Sequence, residues 1–455
     1  MSDVMIERLA AVGIRPAAAE RIAALYLQAE SALELIRGRT LDESRLLRFW
    51  VPGRIEFLGK HTDYAGGRSL LCAVERGFAV AALPRADRRV RVVDARTCEV
   101  ADGALDPDLA VTAGDWRTYP FTVARRVARD FGAAPLVGAD IAFMSDLPIA
   151  SGISSSSALV VGIFLALSAV NELPERTEYR RAIAGREALG EYLGAVENGL
   201  SFGPLSADRG VGTFGGSEDH TAILCARAGA LSQYAFCPVR FERTVPVPSD
   251  HTFLIASSGI AAHKTSNALD SYNRVASLAH AAFAQWRAVS GCAETTLGAA
   301  ARAFRGGFDD TQAALGAAME RAPRGSFDAG EMTERLVQFV MESEEIVLAA
   351  GDALAEGRLG DLGVLVDRSM ANAERMLHNQ VKETVFLARR ARELGATAAS
   401  AFGAGFGGSV WALVPRSAAD EFTRQLMSDY AAWSGRRPTG AEFFLTDAGP
   451  SVRQV

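Results

Sequence analysis

A cluster of polar side chains follows an apolar stretch early in the chain. A strand predicted over Leu47–Glu56 carries Arg54, and it leads into Lys60-His61-Thr62-Asp63-Tyr64, which ends at Gly66-Gly67. Hydrogen-bonding and charged side chains at the end of a strand are a common way to build a small-molecule site. We therefore expect this segment to bind a polar ligand.

A serine-rich loop precedes the most apolar helix that the sequence predicts. Pro148 and Gly152 are followed by Ser154–Ser157 and then by the apolar run Ala158–Val170. Backbone N–H groups of such a loop and of the helix N-terminus form an anion site. The alternative is a simple helix cap, for which one serine suffices. No GxxxxGK[ST] sequence occurs, so a P-loop enzyme is not indicated.

A second glycine-rich loop lies near the end of the chain. It contains Gly403, Gly405, Gly407 and Gly408 and fits GxGxxG in form. A dinucleotide-binding loop of that type opens into a helix. Here the next residues, Ser409–Val414, predict a strand, so we expect a loop between two strands.

Two acidic residues are candidates for chemistry. Asp219 follows the glycines of Gly212–Gly216, and Glu197 lies near the end of a predicted helix. An ionised carboxylate can orient a hydroxyl group and accept its proton, and it can bind Mg²⁺. The alternatives are a surface turn for Asp219 and a solvated helix face for Glu197.

Taken in order, these segments resemble the galactokinases of the GHMP kinase superfamily. Gly53–Tyr64 is similar to GRxNLIGEHTDY, Pro148–Ala158 to PxxxGLSSSA, and Gly403–Gly408 to GAGFGG. Weaker similarities cover Asp115–Tyr119 and Ser257–Arg274. The resemblance implies an α+β fold of two domains with the active site in the cleft between them.

The resemblance also implies roles for individual residues. Arg54 and Asp219 would be catalytic. Gly152, Ser154, Ser155, Ser156 and Ser157 would bind the phosphates of ATP, with Trp116 near adenine. Ser155, Ser156 and Glu197 would hold Mg²⁺, and Gly403, Gly405, Gly407 and Gly408 would support the phosphate loop. The sugar would be bound by Lys60, His61, Asp63, Gly216 and Tyr272.

Two positions depart from the sugar signature. Glu56 stands where the family has asparagine, and Lys60 stands where the family has a glutamate that accepts a hydrogen bond from the C6 hydroxyl. A lysine donates and binds anions. One hypothesis is a substrate with an anionic group, such as a uronate or a heptose or octose phosphate. The other is that Glu56 and Lys60 pair with each other.

Composition sets the remaining expectations. The length of 455 residues predicts more than one domain, and we divide the chain into a helical extension (1–44), an N-terminal domain (45–245) and a C-terminal domain (246–455). The net charge of −6 argues against nucleic-acid binding. Scattered cysteines and no signal-peptide pattern predict a cytoplasmic protein without disulfides. The uncharged stretch Leu147–Asn171 is interrupted, so we predict no membrane span. Paired strands are predicted over Thr221–Cys237.

The sequence thus predicts an ATP-dependent, Mg²⁺-requiring kinase that phosphorylates the anomeric C1 hydroxyl of a galactose-like sugar. We expect a monomer or a weak dimer. Two other hypotheses stay open. The first is a non-catalytic relative that binds sugar and ATP as a sensor. The second is another GHMP branch, such as mevalonate or homoserine kinase, which the His61–Tyr64 segment argues against.

Overall fold

The structure is a computed structural model. It describes residues 2–112, 114–149, 151–260, 267–303, 310, 313–314, 316–317, 327–435 and 439–455. Part of the segment Ser257–Arg274, residues 261–266, lies outside the described residues.

The first half of the chain forms a sheet that is covered by helices on both faces. The strands are β1 (Leu47–Leu58), β2 (Arg68–Pro84), β3 (Arg89–Asp94), β4 (Val100–Ala104), β5 (Ala139–Ser145), β6 (Ala230–Ala235) and β7 (Arg240–Pro246). Their order is β12-β1-β2-β5-β3-β4, with β6 paired to β2 and β7 to β6. The strand β12 (Arg453–Gln454) comes from the C-terminus. All neighbours are antiparallel except β3 and β5.

Alternate residues of β2 pack into different layers, as the period of a strand requires. Phe78 and Val80 join the main core, which includes the apolar helix α4. Ala79 and Ala81 face the helix α2 on the other side. The helices of this half are α1 (Ser2–Ala11), α2 (Pro16–Arg37), α3 (Thr118–Phe131), α4 (Ser155–Val170), α5 (Thr177–Ala182), α6 (Arg186–Asn198) and α7 (Glu218–Cys225).

The second half carries a smaller antiparallel sheet in the order β11-β8-β10-β9. Its strands are β8 (His251–Ser257), β9 (Ala398–Phe402), β10 (Ser409–Pro415) and β11 (Glu442–Thr446). Its helices are α8 (Asn267–Ser290), α9 (Leu297–Ala303), α10 (Ala329–Val340), α11 (Val347–Ala355), α12 (Leu359–Asn372), α13 (Lys382–Glu393) and α14 (Ala419–Trp433). A π-helical segment, Met341–Ile346, joins α10 to α11.

The two halves share one interior. Trp411 of β10 stacks on Phe57 of β1 with ring centroids 4.2 Å apart. The chain also returns to its start, because Arg453 and Gln454 pair with Trp50 and Phe49 of β1. The layered α+β architecture agrees with the sequence prediction, whereas the last residues add a strand to the first sheet.

The predicted strand pair over Thr221–Cys237 is wrong in its first part. Thr221–Cys225 belongs to α7, and only Ala230–Ala235 is a strand. Every residue from His220 to Cys225 is buried, so this short apolar run has no exposed face to reveal a helical period. The acidic residues Glu218 and Asp219 occupy its first turn, where a helix dipole favours them.

The helical extension predicted for residues 1–44 lies on the first sheet. Glu75 of β2 accepts hydrogen bonds from the backbone and side chain of Arg15, and Arg21 pairs with Asp146 at 2.6 Å. None of the helices in the described part of the chain is long and apolar enough to cross a membrane.

Candidate active site

The strand β1 brings Arg54 to the centre of a pocket of about 770 Å³. The Nε and Nη2 atoms of Arg54 both lie 2.7 Å from Oδ1 of Asp219. Nη1 donates to the carbonyl of Gly152 at 2.6 Å. Burial lowers the pKa of Arg54, but the neighbouring carboxyl groups of Asp219, Glu56 and Glu218 raise it overall. Arg54 is therefore a fixed cation that joins a carboxylate to the serine-rich loop.

Three helix ends meet beside this ion pair. Ser157, in the first turn of α4, donates to Oε2 of Glu197 at 2.9 Å and lies 3.4 Å from Oδ2 of Asp219. Nε2 of His220 also lies 2.9 Å from Oε2 of Glu197. Ser157 therefore contacts Glu197 directly, while Ser155 and Ser156 are half-buried and line the pocket.

The serine-rich loop has the backbone that an anion site needs. Gly152 and Ser154 have φ values of +77° and +59°, which turn the chain sharply before α4. The Oγ atom of Ser154 is buried and has no hydrogen-bond partner among the described residues, although the residue lines the pocket. A phosphate oxygen would satisfy this donor.

The glycine loop packs against the serine-rich loop. A Cβ atom on Gly403 would lie 2.7 Å from the carbonyl oxygen of Gly152, and one on Gly408 would lie 3.1 Å from that of Ser151. Ser409 donates to the same Ser151 oxygen at 2.7 Å. Gly405 packs on Asn379 instead, where a Cβ would lie 2.3 Å from the backbone oxygen. Gly407 has a φ of +134°. Close approach explains Gly403, Gly405 and Gly408, and the positive φ explains Gly407.

The polar cluster after β1 also lines the pocket. Oδ2 of Asp63 accepts from the backbone N–H of Glu218 at 3.0 Å, and a Cβ on Gly216 would lie 2.2 Å from this oxygen. The ring of His61 lies 5.6 Å from that of Tyr272. His61, Asp63, Gly216 and Tyr272 all line the pocket. The residues predicted to bind sugar therefore converge here, with one exception.

That exception is Lys60, whose side chain turns away from the pocket. It is 1% exposed, and its Nζ atom lies 3.4 Å from Oγ of Ser369. Ser369 in turn donates to Oε1 of Glu342 at 3.0 Å. The lysine charge also acts on Glu56, whose pKa it lowers. Lys60 is therefore enclosed behind the loop that carries His61 and Asp63.

A set of residues that sequence reasoning missed holds this loop from behind. Oε1 of Glu342 accepts from the backbone N–H groups of Gly59 at 2.9 Å and Lys60 at 3.2 Å. Gln338 donates to the carbonyl of Lys60 at 3.2 Å, and Arg335 donates to that of His61. Arg335, Gln338 and Glu342 share one side of α10 and the π-helical segment. Their spacing alone indicates only a polar helix stripe.

Several buried carboxyl groups in the site are harder to ionise than usual. Burial raises the pKa of Glu56 to about 7, with Lys60 and Arg54 opposing the rise and Asp219 adding to it. Burial likewise raises the pKa of Asp63 and of Glu218. Arg54 and Lys60 are therefore outnumbered by the carboxyl groups around them.

Trp116 also lines the pocket. Its Nε1 donates to Glu99 at 2.9 Å, and its ring meets the edge of Phe143 at 5.5 Å. Phe78, Tyr119 and Phe143 line the same pocket. Trp116 and these rings therefore give part of the pocket wall an aromatic surface.

The oxygen groups around this loop fit a hard divalent cation. Ser155 and Ser156 offer hydroxyl oxygens at the pocket wall, and Glu197 offers a carboxylate. Mg²⁺ takes oxygen ligands and keeps several waters, so it needs few protein groups. Within the described ranges no group of three or more His, Cys, Asp or Glu residues is placed to hold a metal.

Comparisons with known proteins agree with this arrangement. The galactokinase galactose-binding signature matches residues 42–84, and the N-terminal and C-terminal GHMP kinase domains match residues 118–200 and 352–432. The galactokinase of Chloroflexus aggregans is 30% identical over 390 residues, which cover 85% of this chain and 88% of that protein. The galactokinase of Chloroflexus aurantiacus is 29% identical over 391 residues, with the same shares covered.

Solved structures show the same fold. Lactococcus lactis galactokinase complexed with galactose superposes with a TM-score of 0.77 at 21% identity, covering 95% of this chain and all of that one. The mevalonate kinase of Methanococcus jannaschii reaches a TM-score of 0.54 at 12% identity, covering 90% of this chain and 100% of that one. The identity of 30% to a galactokinase over most of both chains shows the family as well as the fold. The chain therefore belongs to the galactokinase family of the GHMP kinases, and it is a sugar 1-kinase.

Proposed function

We propose that this protein transfers the γ-phosphoryl group of ATP to the anomeric C1 hydroxyl of a neutral, galactose-like monosaccharide. The observation that carries the proposal is the Arg54–Asp219 ion pair, which lies between the serine-rich loop and the cluster of His61, Asp63 and Tyr272. A carboxylate placed between a phosphate site and a sugar site is where the acceptor hydroxyl must be oriented.

Phosphoryl transfer needs positioning and charge stabilisation more than covalent chemistry from the protein. In our proposal Asp219 orients the C1 hydroxyl and takes up its proton. Arg54 keeps Asp219 ionised, because an adjacent cation favours the charged carboxylate. Arg54 also places positive charge near the transferring group, where it stabilises developing negative charge.

ATP would bind with its phosphates on the serine-rich loop and its base beside Trp116. The backbone N–H groups at the start of α4 and the unsatisfied Ser154 hydroxyl would hold phosphate oxygens. When bound, Mg²⁺ would supply charge neutralisation for those phosphates, held by Ser155, Ser156 and Glu197. Ser157 and His220 already contact Glu197 and fix its carboxylate in place.

The neutral sugar is favoured over the anionic alternative because of Lys60. A lysine that reads a uronate or a phosphate must present its ammonium group to the ligand. Here that group lies beside Ser369, outside the residues that line the pocket. The pocket wall instead carries the carboxyl groups of Glu56, Asp63 and Asp219. Acidic groups at this wall disfavour a sugar that carries a carboxylate or a phosphate.

The test is an ADP-release assay with ATP and Mg²⁺ over galactose, glucose, galacturonate, glucuronate, arabinose and heptose or octose phosphates. Phosphorus NMR of the product then shows whether the phosphate is on the anomeric oxygen. We expect turnover on a neutral sugar and an anomeric phosphate. Turnover confined to acidic or phosphorylated sugars would contradict the neutral substrate. No turnover with retained ATP binding would favour a sensor.

A further inference from the structure

Glu56 is a buried carboxyl group at the wall of the sugar end of the pocket. It follows Arg54 by two residues in β1, and the two residues pair in unbroken register with Leu71 and Ala73 of β2. Their side chains therefore project from the same face of the strand. Glu56 is 4% exposed and lines the pocket together with Arg54.

Among the residues that the structure describes, one of its two oxygens has a hydrogen-bond partner and the other has none. Oε2 accepts from the backbone N–H of Gly403 at 3.3 Å. Oε1 is buried and has no hydrogen-bond partner among the residues that the structure describes. A buried acceptor without a donor costs free energy, so a native protein retains one where a ligand or water supplies the donor.

The charges around Glu56 favour a neutral donor as this ligand group. Lys60 and Arg54 stabilise its ionised form, whereas Asp219 and Glu342 oppose ionisation. Lys60 acts from behind the loop and does not line the pocket. A substrate carboxylate or phosphate would bring another negative charge to this wall, while a hydroxyl brings a proton to donate.

We propose that Glu56 is a further substrate-contacting residue that determines specificity, with Oε1 accepting a hydrogen bond from a hydroxyl of the sugar. Lys60 is its counter-charge outside the pocket. This inference rests on the proposed function, and it deepens it by naming the residue that selects a hydroxyl over an anionic group. Glu56 and Lys60, the two positions that depart from the sugar signature, then act together: Glu56 contacts the sugar and Lys60 stabilises its charge.

The test crosses an enzyme variant with substrate analogues. Glu56→Gln keeps the side-chain shape and an acceptor for Gly403 but removes the charge. Its kcat/KM is measured on galactose and on the 2-, 3-, 4- and 6-deoxygalactoses. Losing a hydrogen bond to this carboxyl group corresponds to a roughly 3- to 100-fold decrease in kcat/KM for the parent sugar.

The inference predicts non-additivity with one analogue. For the deoxysugar that lacks the contacted hydroxyl, Glu56→Gln should cost less than about twofold, because the interaction is already absent. Glu56→Asp, which withdraws the carboxylate by one methylene, should show the same pattern. Glu75→Gln is the matched control, since Glu75 is a buried glutamate of the same sheet that binds Arg15. It should affect all five sugars equally.

The outcomes separate this inference from the proposed function. If the unaltered enzyme phosphorylates none of the neutral sugars, the proposed function fails. If it phosphorylates galactose but Glu56→Gln and Glu56→Asp reduce kcat/KM by the same factor on every deoxysugar, Glu56 makes no sugar contact and the inference is overturned. The folding of each variant is checked by its thermal unfolding midpoint. If Glu56→Gln does not fold, the Glu56→Asp series decides.

Discussion

Lys60→Met should destabilise the protein without changing which class of sugar it accepts. The substitution keeps the length of the side chain and removes a cation that is 1% exposed. The ammonium group lies 3.4 Å from Ser369 and offsets the charge of Glu56. Removing a buried cation that compensates a carboxyl group is destabilising, and Glu56 can limit the cost by binding a proton, so we expect the free energy of unfolding at pH 7.5 to fall by about 1–3 kcal/mol.

The raised pKa of Glu56 determines how the free energy of unfolding should change with pH. The pKa of Glu56 rises from 4.5 to about 7 on folding, chiefly because the group is buried. The folded state therefore binds the proton more tightly, and stability falls as the pH rises from the unfolded pKa towards the folded one. In the unaltered protein this loss ends near pH 7. Without Lys60 the pKa of Glu56 rises further, so the loss should continue above pH 7 at up to ~1.4 kcal/mol per pH unit.

The assay is urea unfolding of both proteins at pH 6, 7 and 8, together with kcat/KM for galactose and galacturonate. Lys382→Met is the control, because Lys382 is an exposed lysine in the first turn of α13. It should change stability by less than ~0.5 kcal/mol at every pH. Two results would refute the reasoning. One is a stability difference that does not grow with pH. The other is a selective loss of galacturonate turnover in Lys60→Met.

Three more substitutions test the rest of the site. Asp219→Asn should lower kcat by ~10²- to 10⁴-fold with ATP affinity retained in calorimetry, and full activity would mean another group takes the proton. Arg335→Lys keeps the charge but loses the fork that reaches the His61 carbonyl. It should raise the sugar KM about tenfold and leave the ATP KM unchanged, whereas equal changes in both would contradict a positioning role. Gly403→Ala places a methyl group 2.7 Å from the Gly152 oxygen at a φ of +79°. It should raise the ATP KM and cost ~1–3 kcal/mol of stability, and an unchanged ATP KM would show that the two loops move independently.

The parts of the site that the sequence predicted are those with strong local constraints. Gly152, Gly403 and Gly408 require positive φ values or a close backbone approach. A glycine-rich sequence by itself indicates such backbone requirements. Ser154–Ser157 directly before an apolar helix likewise indicates a loop that opens into a helix N-terminus. The expected fold class followed from the family resemblance that these motifs carry.

What the sequence did not predict depends on distant contacts. Arg335, Gln338 and Glu342 bind backbone groups of Gly59, Lys60 and His61, which lie more than 270 residues earlier. Nothing in the local pattern of α10 distinguishes such residues from a solvated polar stripe. The helix over Thr221–Cys225 was missed for a related reason, since burial on all sides removes the periodicity that marks a surface helix.

Lys60 is the clearest example of what a sequence motif leaves open. The sequence gives the charge of the residue but not the direction in which its side chain points. Gly59 and His61 have φ values of +116° and +57°, so the chain turns sharply on both sides of Lys60. As a result, His61 lines the pocket while Lys60 is buried beside Ser369. The hypothesis of an anionic substrate assumed that both side chains face the ligand. With Lys60 behind the loop, the residue of this pair that lines the pocket is Glu56, and under our proposal the choice of substrate depends on which sugar hydroxyl donates to its carboxyl group.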